Sequence, residues 1–220
     1  MVKAAPALRH PTRATYRAQV AEGMRALSRA DPLMRRLIRK HGDCALSPRW
    51  THTPYEALVR AIIYQQLAGA AAKAIHDRFV ASFPGHRFPP ADHVAQAPDM
   101  LLRAAGLSRQ KLSYIRDIAA RAAQGSLPAS RRAIAHLSDD AIIEQMTQAR
   151  GVGRWTAEML LMFTLGRLDV FPAGDYGVRS GFLRASGLDA IGPEALREHA
   201  LRWGPYRSVA AWYLWRAADA

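Results

Sequence analysis

A chain of 220 residues, half of them apolar, has enough material for a folded core and too much for a disordered segment. Lys and Arg number 31 against 18 Asp and Glu, a net charge of +13 that favours polyanionic partners, nucleic acid above all. A single cysteine, Cys44, excludes an intrachain disulfide and any four-cysteine zinc or iron–sulfur site.

The length suits one compact unit or two small lobes sharing a core. The longest apolar runs fall well short of the roughly 20 residues needed to span a bilayer. The opening MVKAAPALRHPTRATYRAQV has no continuous apolar stretch of the signal-peptide kind. A cytoplasmic, nucleoid-associated protein without membrane contact is the expectation. Cys44 reads as a small core filler rather than a nucleophile. The basic residues are spread along the chain, with no polybasic tail.

Ala, Leu and Arg dominate and no alternating β-branched stretch stands out, so the chain reads as all-α. Residues 12–30 read as one helix. Asp31-Pro32 starts the next, with Asp as N-cap and Pro in the first turn. Thr53-Pro54-Tyr55-Glu56 is the clearest helix start, with Thr53 capping and Glu56 completing a capping box. Tyr55, Leu58, Val59, Ile62 and Ile63 form the apolar stripe behind it, and helical pattern runs on to about Phe83. Gln66 falls on that stripe, where a polar residue needs a reason. Shorter helices follow near 98–105 and 108–124, with Ser108 as cap. Ser138 caps the next, with Asp139 and Asp140 placed favourably for the helix dipole.

The helix over 139–149 ends in Arg150-Gly151-Val152-Gly153-Arg154, and another begins at Trp155-Thr156-Ala157. Two glycines around one small apolar residue make a tight corner whose main-chain amides can face an anion such as a DNA phosphate. The alternative is a packing corner with a glycine C-cap. The second helix is apolar nearly all round, through Trp155, Met159, Leu160, Met162 and Phe163, and is expected to be buried. Some twenty residues on, Val170-Phe171-Pro172-Ala173-Gly174 forms a sharp loop closed by Asp175. By itself Asp175 reads as an N-cap.

Taken together, Gly151-Val152-Gly153, the Pro172-Ala173-Gly174 loop and Asp175 resemble the helix-hairpin-helix DNA glycosylase superfamily. The resemblance runs from about residue 54 to 216. It implies two helical lobes with a cleft between them. Residues 54–168 would form one lobe with the helix-hairpin-helix at 139–165. Residues 1–53 and 169–220 would form a discontinuous second lobe carrying the acid loop. Asp175 becomes the catalytic carboxylate. Members with lyase activity carry a lysine where this chain has Trp155, so a monofunctional enzyme is implied.

Gly-Arg-Trp-Thr-Ala (153–157) and Trp203-Gly-Pro-Tyr-Arg-Ser208, with Trp212 and Trp215 after it, resemble the alkylpurine branch, DNA-3-methyladenine glycosylase II, in its short all-helical form. With that branch in view, Trp155, Met159, Tyr176 and Trp215 are candidate substrate-binding residues. Trp203 and Trp212 read as core. Gly151, Gly153, Arg154, Thr156, Gln66 and Leu67 are candidate DNA contacts. Leu67, with Gln66 or Ala68, would wedge into the vacated base stack; the alternative is a helix bend with Leu67 in the core.

The resemblance also implies a monovalent cation, Na+ or K+, held by the carbonyls of Thr147, Ala149 and Val152. No other cofactor is expected, since the eight histidines show no zinc-binding spacing. The implied activity is base excision repair. The enzyme flips an alkylated purine, such as 3-methyladenine or 7-methylguanine, out of double-stranded DNA and hydrolyses its N-glycosidic bond as a monomer. Glu158 and Asp169 read as exposed and leave no second catalytic acid. Two other readings compete: a non-catalytic helix-hairpin-helix DNA-binding protein, and a glycosylase for another damaged base.

Overall fold

The computed structural model describes residues 12–67 and 69–219, so the first eleven residues, Ala68 and Ala220 lie outside the description. Among the described residues all regular structure is helical. In chain order the helices are α1 Arg13–Ala30, α2 Pro32–His41, α3 Pro54–Tyr64, α4 Gly69–Ala81, α5 Ala91–Gln96, α6 Asp99–Ala104 and α7 Arg109–Ala123. They continue with α8 Arg131–Ile134, α9 Asp139–Thr147, α10 Arg154–Leu160, α11 Tyr176–Ser186, α12 Pro193–His199 and α13 Arg207–Ala218. A π-helical turn over Leu161–Leu165 extends α10. No helix among the described residues is long and apolar enough to cross a membrane.

The capping residues act as their chemistry dictates. Side-chain oxygens of Asp31, Thr53, Ser108 and Ser138 each accept a main-chain N–H in the first turn of the helix they precede. One expected detail differs. The buried Glu56 does not close a capping box; its carboxylate takes both guanidinium nitrogens of Arg87, at 2.9 and 2.6 Å. A two-pronged charged pair outcompetes a single weak bond back to the Thr53 amide. A second difference is the break after Tyr64, where one continuous helical pattern was expected.

The helices divide into two compact units, Trp50–Leu160 and the residues up to Arg49 together with those from Leu161 on. In the first unit α3 is the central element. Leu58, Val59, Ile62 and Ile63 are fully buried, and α3 packs on α4, α7 and α10. From α7, Leu112, Ile115, Ile118 and Ala119 complete that core.

In the second unit α13 is central and packs on α1, α2 and α11. Val209, Ala210, Ala211, Tyr213 and Leu214 are wholly buried. Trp203 is core, and its indole N–H donates to Asp31 Oδ2 at 2.7 Å while Asp31 Oδ1 caps α2. One buried carboxylate therefore satisfies two elements. Asp31→Ala removes the cap and orphans a buried indole N–H, so urea unfolding should report a loss of about 2–4 kcal/mol. Asp31→Asn keeps one acceptor oxygen and turns an NH2 donor toward the other N–H, so it should recover only part of that loss. Burial pushes the Cys44 thiol up to about 12, which leaves it protonated and unreactive.

Candidate active site

Asp175 sits at the N-terminus of α11 with half-buried surroundings. The Pro172 carbonyl accepts the Asp175 N–H at 2.9 Å, and Pro172 and Ala173 are buried, so the loop is held from within. Upstream, the buried Ser208 hydroxyl accepts the Val170 N–H at 3.0 Å and lies 2.9 Å from the Arg167 carbonyl. Asp169, still partly exposed, takes the Arg207 guanidinium on both oxygens, at 2.7 and 2.9 Å, and so acts as a strut.

The carboxylate is aimed by two donors. Asp175 Oδ1 accepts the Val178 N–H and the Trp215 indole N–H, each at 2.8 Å. The cap role and the approach of Trp215 thus coexist on one oxygen. Close helix contact makes this feasible. Gly177 leaves room for the indole, since a Cβ there would stand 2.8 Å from Trp215 Cδ1. One turn on, a Cβ at Gly181 would overlap the Leu214 carbonyl, so α11 and α13 touch backbone to backbone. Phe163, from the π-helical turn, lies against Trp215 with ring centroids 5.8 Å apart. Tyr176, beside Asp175, is 84% exposed and has no packing role.

The other unit carries the glycine corner. Gly151 has φ +79°, and a Cβ there would overlap the Tyr114 ring. Gly153 is different: a Cβ there would meet nothing within 4 Å. The corner closes through the Val152 N–H to the Ala149 carbonyl at 3.1 Å, with Val152 and Ala149 buried.

Trp155 is 43% exposed, contrary to the burial expected for the second hairpin helix, and Met159 is half-buried. The buried member of that turn is Glu158, expected on an exposed face, whose carboxylate meets Arg154 Nε at 3.1 Å. The first turn is polar inside because Arg154 folds back over it. Thr156 is buried, which removes its hydroxyl from any surface contact and leaves only its main chain.

Gln66 and Leu67 lie in the turn between α3 and α4, exposed, with Leu67 at 39%. Gln66 is therefore off the α3 stripe, and Leu67 is not in the core. Among the described residues Gln66 is the one non-glycine with positive φ, at 56°. Such a conformation costs about 1 kcal/mol or more and persists where neighbours enforce it. The neighbours are Lys111, whose Nζ donates to the Ile63 and Gln65 carbonyls at 2.7 Å each, and Gln65, whose amide donates to the Gly151 carbonyl at 3.2 Å. Burial lowers the Lys111 ammonium from its usual range without removing its donors.

Asp117 Oδ2 accepts the Arg150 N–H at 2.9 Å. Lys111, Tyr114 and Asp117, spaced three apart on α7, therefore support the 65–67 turn and the glycine corner together. Sequence reading did not single out these three. Their helical spacing was visible, but nothing in it named their partners.

An all-helical basic chain with a Gly-Val-Gly corner between two helices, and a loop-borne acid oriented by a tryptophan, has the marks of a helix-hairpin-helix fold adapted for chemistry. Residues 59–205 match the HhH-GPD superfamily of base excision DNA repair proteins, and the chain belongs to that family.

DNA-3-methyladenine glycosylase 1 of Schizosaccharomyces pombe is 38% identical over 166 residues, covering 75% of this chain and 72% of its own. The alkylbase DNA glycosidase-like protein mag2 of the same organism is 34% identical over 192 residues, covering 86% and 90%. Among solved structures, the S. pombe 3-methyladenine DNA glycosylase Mag1 in complex with abasic DNA superposes with a TM-score of 0.82 at 34% identity, covering 90% of this chain and 97% of that one.

Proposed function

We propose that this protein is a monofunctional DNA glycosylase that everts alkylated purines from duplex DNA and hydrolyses their N-glycosidic bond in base excision repair. The observation that carries the reading is the Asp175 carboxylate, fixed by the Val178 amide and the Trp215 indole at the end of a braced loop.

As the bond between C1′ and the base breaks, positive charge develops on the sugar, and a carboxylate facing it stabilises that state. Water adds to C1′ and gives up a proton, for which Asp175 is the acceptor. The base departs with the bonding electron pair. An alkylated purine that is already cationic thereby leaves neutral and needs no general acid, which suits a site with one acid. In the unit that carries Asp175, the Trp215 indole and the exposed ring of Tyr176 supply electron-rich faces for a cationic base. Trp155 stands where a lyase would need an amine, so strand cleavage does not follow base loss.

The glycine corner is assigned the DNA backbone, and the strained Gln66–Leu67 turn the gap left by the everted base. A monovalent cation fits the corner in one respect. Thr147 ends α9, where carbonyls lack an i+4 partner, and Ala149 and Val152 offer main-chain oxygens beside it. Such an ion would add positive charge toward a phosphate.

The two glycines separate folding from binding. Gly151→Ala should cost about 2 kcal/mol of stability, from the left-handed φ and the Tyr114 ring. Gly153→Ala, unopposed by any protein atom, should leave stability within about 0.5 kcal/mol. If a phosphate closes on its main chain, Gly153→Ala should still weaken duplex binding about tenfold.

Substrate class is tested by single-turnover release from duplexes holding 3-methyladenine, 7-methylguanine or the neutral base hypoxanthine. Release of the cationic bases should be faster than that of hypoxanthine by at least about a hundredfold. Equal rates would remove the charge-based account of selectivity.

A further inference from the structure

The unit Trp50–Leu160 holds a second basic feature that the chemistry above does not use. A cavity of about 630 Å3 is lined from α5, α6, α7 and the residue before the glycine corner. Arg103, Arg109, Arg116 and Arg150 border it, against two acids, Asp99 and Asp117.

Both acids are engaged. Asp99 Oδ1 accepts from Arg116 Nη2 at 2.6 Å. Asp117 Oδ2 accepts from Arg121 Nε at 2.8 Å and from the Arg150 main-chain N–H at 2.9 Å. Arg116 is pinned further by the Ala95 and Ala97 carbonyls. The guanidinium groups of Arg103, Arg109 and Arg150 have no hydrogen-bonding or ion-pair partner among the described residues.

Like charges gathered on one concavity repel, and an anion placed between them reverses the sign of that interaction. Guanidinium forks match the paired oxygens of a phosphate. Arg150 joins the cavity to Gly151 directly, and its amide is fixed by Asp117, so the cavity adjoins the corner assigned to the DNA backbone.

We propose that this cavity is a second phosphate site, which receives a phosphodiester of the duplex further along the backbone than the one at Gly151–Gly153. The proposal rests on the DNA-directed function above and adds to it a named set of cations outside the hairpin. Its effect is on affinity and placement along the strand, with no part in bond cleavage.

The test is the double variant Arg103→Ala/Arg109→Ala, with Arg109→Glu as a second variant at an exposed position. Duplex affinity is measured between about 50 and 200 mM salt. Loss of one phosphate contact should reduce the slope of log K against log salt by about 0.9 and weaken binding several-fold. Thermal stability and single-turnover base release at saturating DNA should stay as in the unaltered chain. An unchanged slope in both folded variants overturns the proposal. So does protection of the unaltered protein, but not the variant, by inorganic phosphate with DNA binding unaffected, which would make the cavity a small-anion site. Base release by the unaltered chain in the same samples reports on the glycosylase reading alone. A reduced slope without any release would keep the phosphate site and remove the enzyme.

Discussion

Asp175→Asn is expected to reduce base release by about a thousandfold or more while binding to alkylated duplex DNA persists. The substitution is well suited to the geometry. The hydrogen bonds from the Val178 amide and the Trp215 indole to Asp175 land on the same oxygen, Oδ1. An asparagine carbonyl can accept both, and Asn caps helices as well as Asp does. The helix cap and the indole bond are therefore retained while the negative charge is removed. Asp175→Ala would mix loss of the cap with loss of charge. Circular dichroism and DNA affinity should match the unaltered protein within a few-fold; substantial turnover by the Asn variant would show that the charge at 175 does not drive the reaction.

Gly181→Ala is expected to be the most damaging single methyl group in the unit that carries Asp175. Its Cβ would overlap the Leu214 carbonyl, a main-chain atom that cannot rotate aside. Relief requires α11 and α13 to separate, at a cost of about 3 kcal/mol or more. For a chain of this size the melting temperature should fall by about 6–12 °C. Activity should fall further than stability predicts, because the same separation draws the Trp215 indole from the carboxylate it orients. A melting temperature unchanged within about 1 °C would mean that the helices do not pack this closely.

Much of the helical architecture is legible in the sequence because its signals are local. Asp31, Thr53, Ser108 and Ser138 announce helix starts through bonds that span two or three residues. The glycine corner and the acid loop are legible for the same reason. What escapes is what distant residues decide. The break after Tyr64 is stabilised by Lys111, more than forty positions away, which takes the carbonyls of Ile63 and Gln65. Without that ammonium in view, the apolar spacing simply continues and Gln66 seems to lie on a helix face. The burial of Glu158 likewise depends on Arg154 folding over it. The approach of Trp215 to Asp175 depends on two glycines one turn apart on α11, whose meaning appears only when α13 lies against them. The tryptophan could be picked out by resemblance, but its hydrogen bond could not.

The most direct test is to incubate the purified chain with duplex DNA treated with a simple methylating agent, then to separate free bases from the polymer by chromatography. A carboxylate held ready at the end of a braced loop, with the proposed function, predicts free 3-methyladenine and 7-methylguanine with the sugar–phosphate strand left intact. DNA that is bound to saturation yet keeps every methylated base would contradict it, and would leave a chain that recognises duplex DNA without acting on it.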